Sequence, residues 1–267
     1  MKLLMLTFAN DKNILLDNLI FSFKKYNYEY KVIGYGMKWV NFMTKIKECY
    51  DYLINLDGYD IICIVDAYDV LACDYSDVLV SKFLDCKKRI LVGAENACGG
   101  NCVPLNNYYK NKNKKGRYTY ANGGFYMGYK NDIIHMLKYI LNLNISDDQI
   151  GLGKYINKYP RNIAMDENGL LISNINIYGS YFDTYWVNNK VKNIKTREYP
   201  CLIHTPSIQY DLHSRMDYFG DKILGKKYRK YSFNEKITRF YNKYSNKINY
   251  FILFIVVLLF ILFFILF

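Results

Sequence analysis

The sequence predicts an α/β domain, a mixed sheet flanked by helices, joined by a basic linker to a C-terminal transmembrane helix. Three observations carry this. Short apolar, β-branched runs recur at residues 3–8, 61–65 and 90–93, with helix-like stretches between them. The second run, Ile61-Ile-Cys-Ile-Val-Asp66-Ala-Tyr-Asp69-Val-Leu, leads straight into two carboxylates three positions apart. The chain closes with 18 residues, Tyr250 to Phe267, that carry no charge.

Taken in order, strands are expected near residues 2–8, 30–34, 61–65, 90–94, 122–128 and 200–204. Helices are expected near 11–26, 41–54, 74–85, 131–142 and 148–158. An apolar run without alternation suits a strand covered on both faces, as in a parallel or mixed sheet. The globular part, residues 1–220, is long enough for one α/β core. Residues 221–249 form the basic linker and 250–267 the span.

The carboxyl ends of such strands are where α/β sheets place ligands. Asp66 and Asp69 repel each other there unless a divalent cation lies between them, and hard oxygen ligands suit magnesium or manganese. A plain turn, with Asp66 capping the next helix and Asp69 in solvent, is the competing reading. Gly123 and Gly124, before an aromatic strand, permit close backbone approach or positive φ, or simply a tight turn. Ser146-Asp-Asp-Gln149 reads as a helix start, with Ser146 as N-cap and Gln149 completing a capping box. Lys110, Lys112, Lys114, Lys115 and Arg117 form a basic loop that either closes over an anionic ligand or is merely solvated.

These segments together resemble the glycosyltransferase domain of the lysyl hydroxylase (procollagen-lysine dioxygenase, PLOD) family, a nucleotide-sugar-dependent domain of the GT-A kind. The resemblance covers roughly residues 1 to 220 and rests on Asp66-Ala-Tyr-Asp69-Val, Gly93-Ala-Glu95, Asn122-Gly-Gly-Phe, Asp147-Asp-Gln149 and a late His204. It implies a metal site of Asp66, Asp69 and His204, the imidazole tilting the choice from magnesium toward manganese. It also implies that Tyr68 stacks near uracil and that Thr7 lies close to the nucleotide. Lys45, Glu95, Asn122, Gly123 and Gly124 fall in matching pocket positions, and Asp147, Asp148 and Gln149 match the acidic segment beside the sugar and acceptor. The implied activity is transfer of glucose or galactose from UDP-glucose or UDP-galactose to a hydroxyl acceptor of the hydroxylysine or glycosyl-hydroxylysine type. After His204 the chain reads Thr-Pro-Ser-Ile-Gln, where the family has Gly-Asn-Gly and a downstream lysine, so a non-catalytic binding module of the same fold is the competing expectation. Iron-dependent hydroxylation is not expected, because none of His135-Met-Leu, His204-Thr-Pro and His213-Ser-Arg supplies a His-x-Asp pair.

The net charge of +12 is unevenly placed. Residues 221–250 hold nine Lys or Arg against Asp221 and Glu235, a net of +7, leaving +5 for the first 220. That is a poor footprint for a nucleic-acid binder, which needs its basic stripe on the folded domain. The 18 apolar residues are just long enough to cross a hydrocarbon core and predict a tail anchor. Its basic flank lies on the same side as the domain, which is therefore expected at the cytoplasmic face, where the linker meets anionic lipid. Seven cysteines, odd in number and scattered, suit a reducing compartment, with Cys98 and Cys102 expected as plainly packed loop thiols beside Glu95. Similar domains occur in large DNA viruses, so a virus-coded membrane enzyme is expected.

Overall fold

Strand β1 (Leu3–Phe8) sends Leu4 and Leu6 to one face and Leu3 and Met5 to the other. Strand β3 (Ile61–Asp66) repeats this with Ile62 and Ile64 against Ile61, Cys63 and Val65. Both faces must then be covered, and the helices do it. The computed structural model describes residues 1–96, 102–110, 116–175, 183–206 and 210–229, the side chains of 210–214 excepted. On one face lie α2 (Phe42–Leu53), α5 (Lys130–Leu141) and α6 (Asp148–Lys158), packing Ile46, Leu53, Met136, Leu137, Leu152 and Ile156 onto the sheet. On the other lie α1 (Ile14–Lys25) and α3 (Ser76–Asp85), contributing Leu16, Leu19, Phe23, Leu79 and Phe83.

The main sheet has six strands in the order β2-β1-β3-β6-β5-β7, completed by β2 (Tyr30–Ile33), β5 (Ile90–Glu95), β6 (Tyr120–Tyr129) and β7 (Ile163–Met165). β6 runs antiparallel to both its neighbours, and the remaining pairs are parallel. Against β5 its register jumps between Val92–Tyr126 and Gly93–Asn122, so Gly123 and Gly124 leave that ladder. Such irregularities re-aim a strand, and here the redirected stretch borders the site.

A second sheet of three strands has the order β4-β11-β8, from β4 (Val70–Ala72), β11 (Leu202–His204) and β8 (Ile172–Asn174). β11 is antiparallel to β4 and parallel to β8. Helix α7 (Tyr210–Leu224) covers it, with Met216, Phe219, Ile223 and Leu224 packed on Leu71 and Ile203. The boundary expected at residue 220 therefore falls inside a helix whose last turn, with Tyr228 beyond it, belongs to the core. A short helix α4 (Asn106–Tyr109) and a hairpin of β9 (Thr184–Val187) and β10 (Lys190–Asn193) complete the described elements. Asn188 and Asn189 turn that hairpin with positive φ at both positions, the conformation asparagine tolerates best after glycine.

All six expected strands and all five expected helices are present, with ends displaced by a few residues. The unanticipated strands have only three or four residues each, too few to show a period. Cys102 is disulfide-bonded rather than a plainly packed thiol, the short loop spacing having been too weak a signal; its partner lies outside the described residues. Cys49, Cys63, Cys73, Cys86 and Cys201 are free. Among the described residues no helix is long and apolar enough to cross a membrane. The expected span at 250–267, most of the linker, and Lys112, Lys114 and Lys115 of the expected basic loop lie outside the described residues.

Candidate active site

Asp66 ends β3 on the main sheet, and the turn that follows carries the chain into β4 of the second sheet. β4 pairs with β11 so that Val70 stands opposite His204, and Thr205 N–H donates to the Asp69 carbonyl at 2.9 Å. That pairing brings His204 to the two carboxylates. One ligand atom from each of Asp66, Asp69 and His204 lies within 4.8 Å of the others. His204 Nε2 stands 3.4 Å from an Asp69 oxygen and 3.8 Å from an Asp66 oxygen. These separations are slightly wider than the roughly 3 Å edge of an octahedron with bonds near 2.1 Å.

The protonation of His204 follows from its other neighbour. Asn174 Nδ2 donates to the Ala94 carbonyl at 2.8 Å, which turns the amide oxygen toward His204 Nδ1, also at 2.8 Å. That oxygen only accepts, so Nδ1 carries a hydrogen, and in the neutral imidazole the Nε2 lone pair faces Asp66 and Asp69. Nε2 is buried and has no hydrogen-bond partner, a costly condition that a cation between the carboxylates would remove. The donor set thus fits a divalent metal, with a supporting amide behind the imidazole as metal-bound histidines usually have. Burial works against an imidazolium here, but Asp69 and then Asp66 outweigh it and raise the His204 pKa above its ordinary 6.5, with Glu95 adding to the rise.

Lys45, expected in the nucleotide pocket, touches the cavity lining but points its ammonium inward. Nζ contacts Asp66 Oδ1 at 2.9 Å, Asp148 Oδ2 at 2.7 Å and the Gly123 carbonyl at 3.1 Å. Burial disfavours this ammonium, yet Asp148 and Asp66 outweigh it and hold its pKa well above the usual value. Burial also raises the Asp148 pKa against the pull of Lys45, whereas Lys45 and His204 overcome burial at Asp66 and keep its pKa low. Lys45 therefore joins the candidate metal carboxylate to the candidate acceptor-side carboxylate.

The glycine pair serves close approach to side chains, and neither glycine has positive φ. A Cβ on Gly123 would meet Asp148 Oδ1 at 3.2 Å, and one on Gly124 would overlap the His204 ring. Asn122 accepts from Gly124 N–H at 2.9 Å, and Gln149 Oε1 accepts from Gly123 N–H at 3.2 Å. The N-cap of α6 is Asp147 rather than Ser146, accepting from Gln149 and Ile150 N–H groups, so the expected capping box is replaced. Asp147 immediately precedes the helix, the position from which a side-chain oxygen meets the N2 and N3 amides.

Beside the carboxylates opens a cavity of about 700 Å³, whose lining includes Phe8, Asn10, Trp39, Phe42, Lys45, Asp66, Tyr68 and Asp69 together with Thr205, Met216, Tyr228 and Arg229. Tyr68 is held by its hydroxyl, which donates to the Asp11 carbonyl at 3.0 Å and accepts from Asp11 N–H at 3.1 Å. Trp39 packs on Phe8 and Phe42 with centroids 5.7 Å apart in each case, extending the aromatic wall. Thr7 is turned into the sheet, where its hydroxyl donates to the Val65 carbonyl at 2.9 Å, while Phe8 and Asn10 line the cavity. Phe8 is the register partner of Asp66, and that alignment of strand ends was the signal that could have found them. Glu95 is buried at the end of β5. No local pattern marked Asn174, Trp39 or Arg229.

A mixed sheet with paired acids and a histidine at a strand-end cavity is the arrangement expected of a glycosyltransferase fold. The chain belongs to the family whose model is described as the PLOD GT domain, which matches residues 1–228. A protein of Acanthamoeba polyphaga mimivirus, R699, is 26% identical over 219 residues, covering 73% of this chain and 46% of the relative, so the chain spans about half the length of that relative. Among solved structures, a glycosyltransferase involved in glycosylation of the major capsid of PBCV-1 superposes with a TM-score of 0.53 at 10% identity, covering 81% of this chain and 99% of its own. That likeness extends to the fold alone.

Proposed function

We propose that this domain transfers glucose or galactose from a UDP-sugar to a hydroxyl acceptor in a manganese-dependent reaction. The observation that carries the reading is the convergence of Asp66, Asp69 and His204 at the edge of a cavity walled by Tyr68, Trp39 and Phe8. The three side chains would hold the ion, with magnesium the alternative. When bound, it supplies Lewis-acid stabilisation of the charge that develops on the departing diphosphate. Tyr68 and the Trp39 cluster offer flat apolar faces to the uracil. On this reading Asp148, behind Lys45, stands at the acceptor end, where Asp147 caps α6 and Gln149 ties its start to Gly123. Lys45 holds Asp66 and Asp148 in fixed relation, so donor and acceptor sides are positioned together.

UDP release by the purified chain over a panel of UDP-sugars, with manganese, magnesium or chelator, tests this. Manganese-dependent release with UDP-glucose or UDP-galactose is expected. No release from any donor, in the presence of hydroxylysine and galactosyl-hydroxylysine peptides, would favour the binding-module reading.

Two further outcomes follow from His204. Asn174→Ala should weaken manganese binding by roughly 10–100-fold, as lost support behind a metal-bound histidine generally does, measured by titration of the folded variant. The pH dependence has a definite sign. A folded-state pKa raised above 6.5 gives stability fully present below 6.5 and lost as pH rises through the raised value. Metal-free protein should therefore lose melting temperature on that rise. Manganese competes for the same Nε2 position, so its apparent affinity should climb by about tenfold per unit of pH below the raised value. Affinity independent of pH between 6 and 8 would count against His204 as a ligand.

We also propose that the apolar run 250–267 anchors the chain in a membrane with the domain on the cytoplasmic side. Protease digestion of oriented vesicles tests the side. The disulfide at Cys102 is the observation that counts against a reducing face.

A further inference from the structure

One wall of the cavity comes from beyond the expected domain boundary. Gly225 leaves α7 with φ of +67°, the left-handed conformation that ends helices, and turns the chain back. Asp221 then accepts from Tyr228 N–H at 2.7 Å and pairs with Lys227 at 2.6 Å. From α1, fully buried Asn18 donates to the Tyr228 carbonyl at 2.6 Å, and Lys25 donates to the Ile223 carbonyl. The Tyr228 ring sits on Gly220, where any Cβ would overlap it. Tyr228 is only 2% exposed, so the residue after it is held by a seated anchor. That residue is Arg229, half-buried on the cavity lining with Asp66, Asp69 and Thr205.

The charge at this wall matters because of what the cavity would receive. A nucleoside diphosphate brings about two to three negative charges. A divalent ion between Asp66 and Asp69 is already balanced by those carboxylates. Lys45, the other cation of the described lining, has its ammonium in contact with Asp66 and Asp148. The residues directly after His204, Thr-Pro-Ser-Ile-Gln, contain no cation. A guanidinium offers a planar fork matched to phosphate oxygens.

We propose that Arg229 binds the donor's diphosphate and stabilises it as leaving group, a role that rests on the nucleotide-sugar reading above. As the sugar departs, the bond between its anomeric carbon and the phosphate oxygen breaks, and the electron pair stays on that oxygen, where Arg229 meets it. The acceptor oxygen forms the new bond to the anomeric carbon, and its proton passes to solvent. The short segment 225–229 is thereby part of the catalytic domain, and a chain cut at residue 220 lacks it.

Trp39, which lines the same cavity, gives the readout. The full chain in detergent is titrated with uridine, UMP and UDP in manganese, following tryptophan fluorescence. Arg229→Ala is expected to raise the Kd for UDP by at least about tenfold, the loss of a charge-assisted contact, with uridine affinity unchanged within about twofold. Arg229→Lys should fall between, keeping charge without the fork. Arg229→Gln, closer in shape, should repeat the alanine result if alanine unfolds the segment. Unchanged UDP affinity in both neutral variants, or equal weakening of uridine and UDP, overturns the proposal. Wild-type protein that binds none of the three overturns the nucleotide-sugar reading, and this role with it.

Discussion

The double variant Asp66→Ala, Asp69→Ala is expected to lose sugar transfer by about 10³-fold or more while remaining folded. A metal that stabilises leaving-group charge is worth several kcal/mol, and each 1.4 kcal/mol is about a factor of ten in rate. The fold should survive because neither side chain is part of the apolar core, and each is about one-third exposed. The Asp69 contact that extends the β4–β11 pairing runs through its carbonyl to Thr205 N–H and is untouched by the change. Lys45 keeps Asp148 and the Gly123 carbonyl when Asp66 is shortened. Initial rates of UDP release alongside a thermal melt separate the two effects. Unchanged transfer would end the metal-dependent reading; a collapse of the melt would show that the carboxylates are structural.

The largest effect on stability is expected at Lys45. Lys45→Met replaces a buried ammonium by an apolar chain of similar length and leaves Asp148, itself buried, without its cation. Breaking one side of a buried ion pair costs roughly 3–5 kcal/mol, because the stranded charge stays in low dielectric. At about 2–4 °C per kcal/mol for a domain of this size, the melting temperature should fall by about 6–20 °C. Adding Asp148→Asn removes the stranded charge and should restore part of the loss, the two sites being in direct contact. A melting temperature within about 2 °C of wild type in the single variant would mean that water reaches this pair and that Lys45 is no keystone.

Much of this site was legible because its signals are local. A strand buried on both faces writes an unbroken apolar run, and a carboxylate at its end is visible wherever the run stops; Ile61 to Asp66 needed nothing else. The glycines before Phe125 were equally visible, although what they approach, Asp148 and His204, was not. Where the local signal was ambiguous the outcome shifted, as at Ser146 and Asp147, adjacent residues both able to cap a helix. At Thr7 the strand end was legible but the direction of the side chain was not. A strand end indicates which residues are near a cavity, while the direction of a hydroxyl depends on the neighbouring carbonyl, here Val65.

By itself, then, the sequence determined the strands, their acidic and glycine ends and the main helices, since period and apolar content act over a few neighbours. The tertiary structure alone decided that β4 pairs with β11 and so carries His204 to Asp69. It alone placed Asn174 behind the imidazole, turned Lys45 inward between two acids, and folded residues 225–229 back onto the cavity. Each of these is a contact between segments far apart in the chain, made by strands too short to show a period or by single polar side chains. Their positions follow from which surfaces pack, a property no local pattern records.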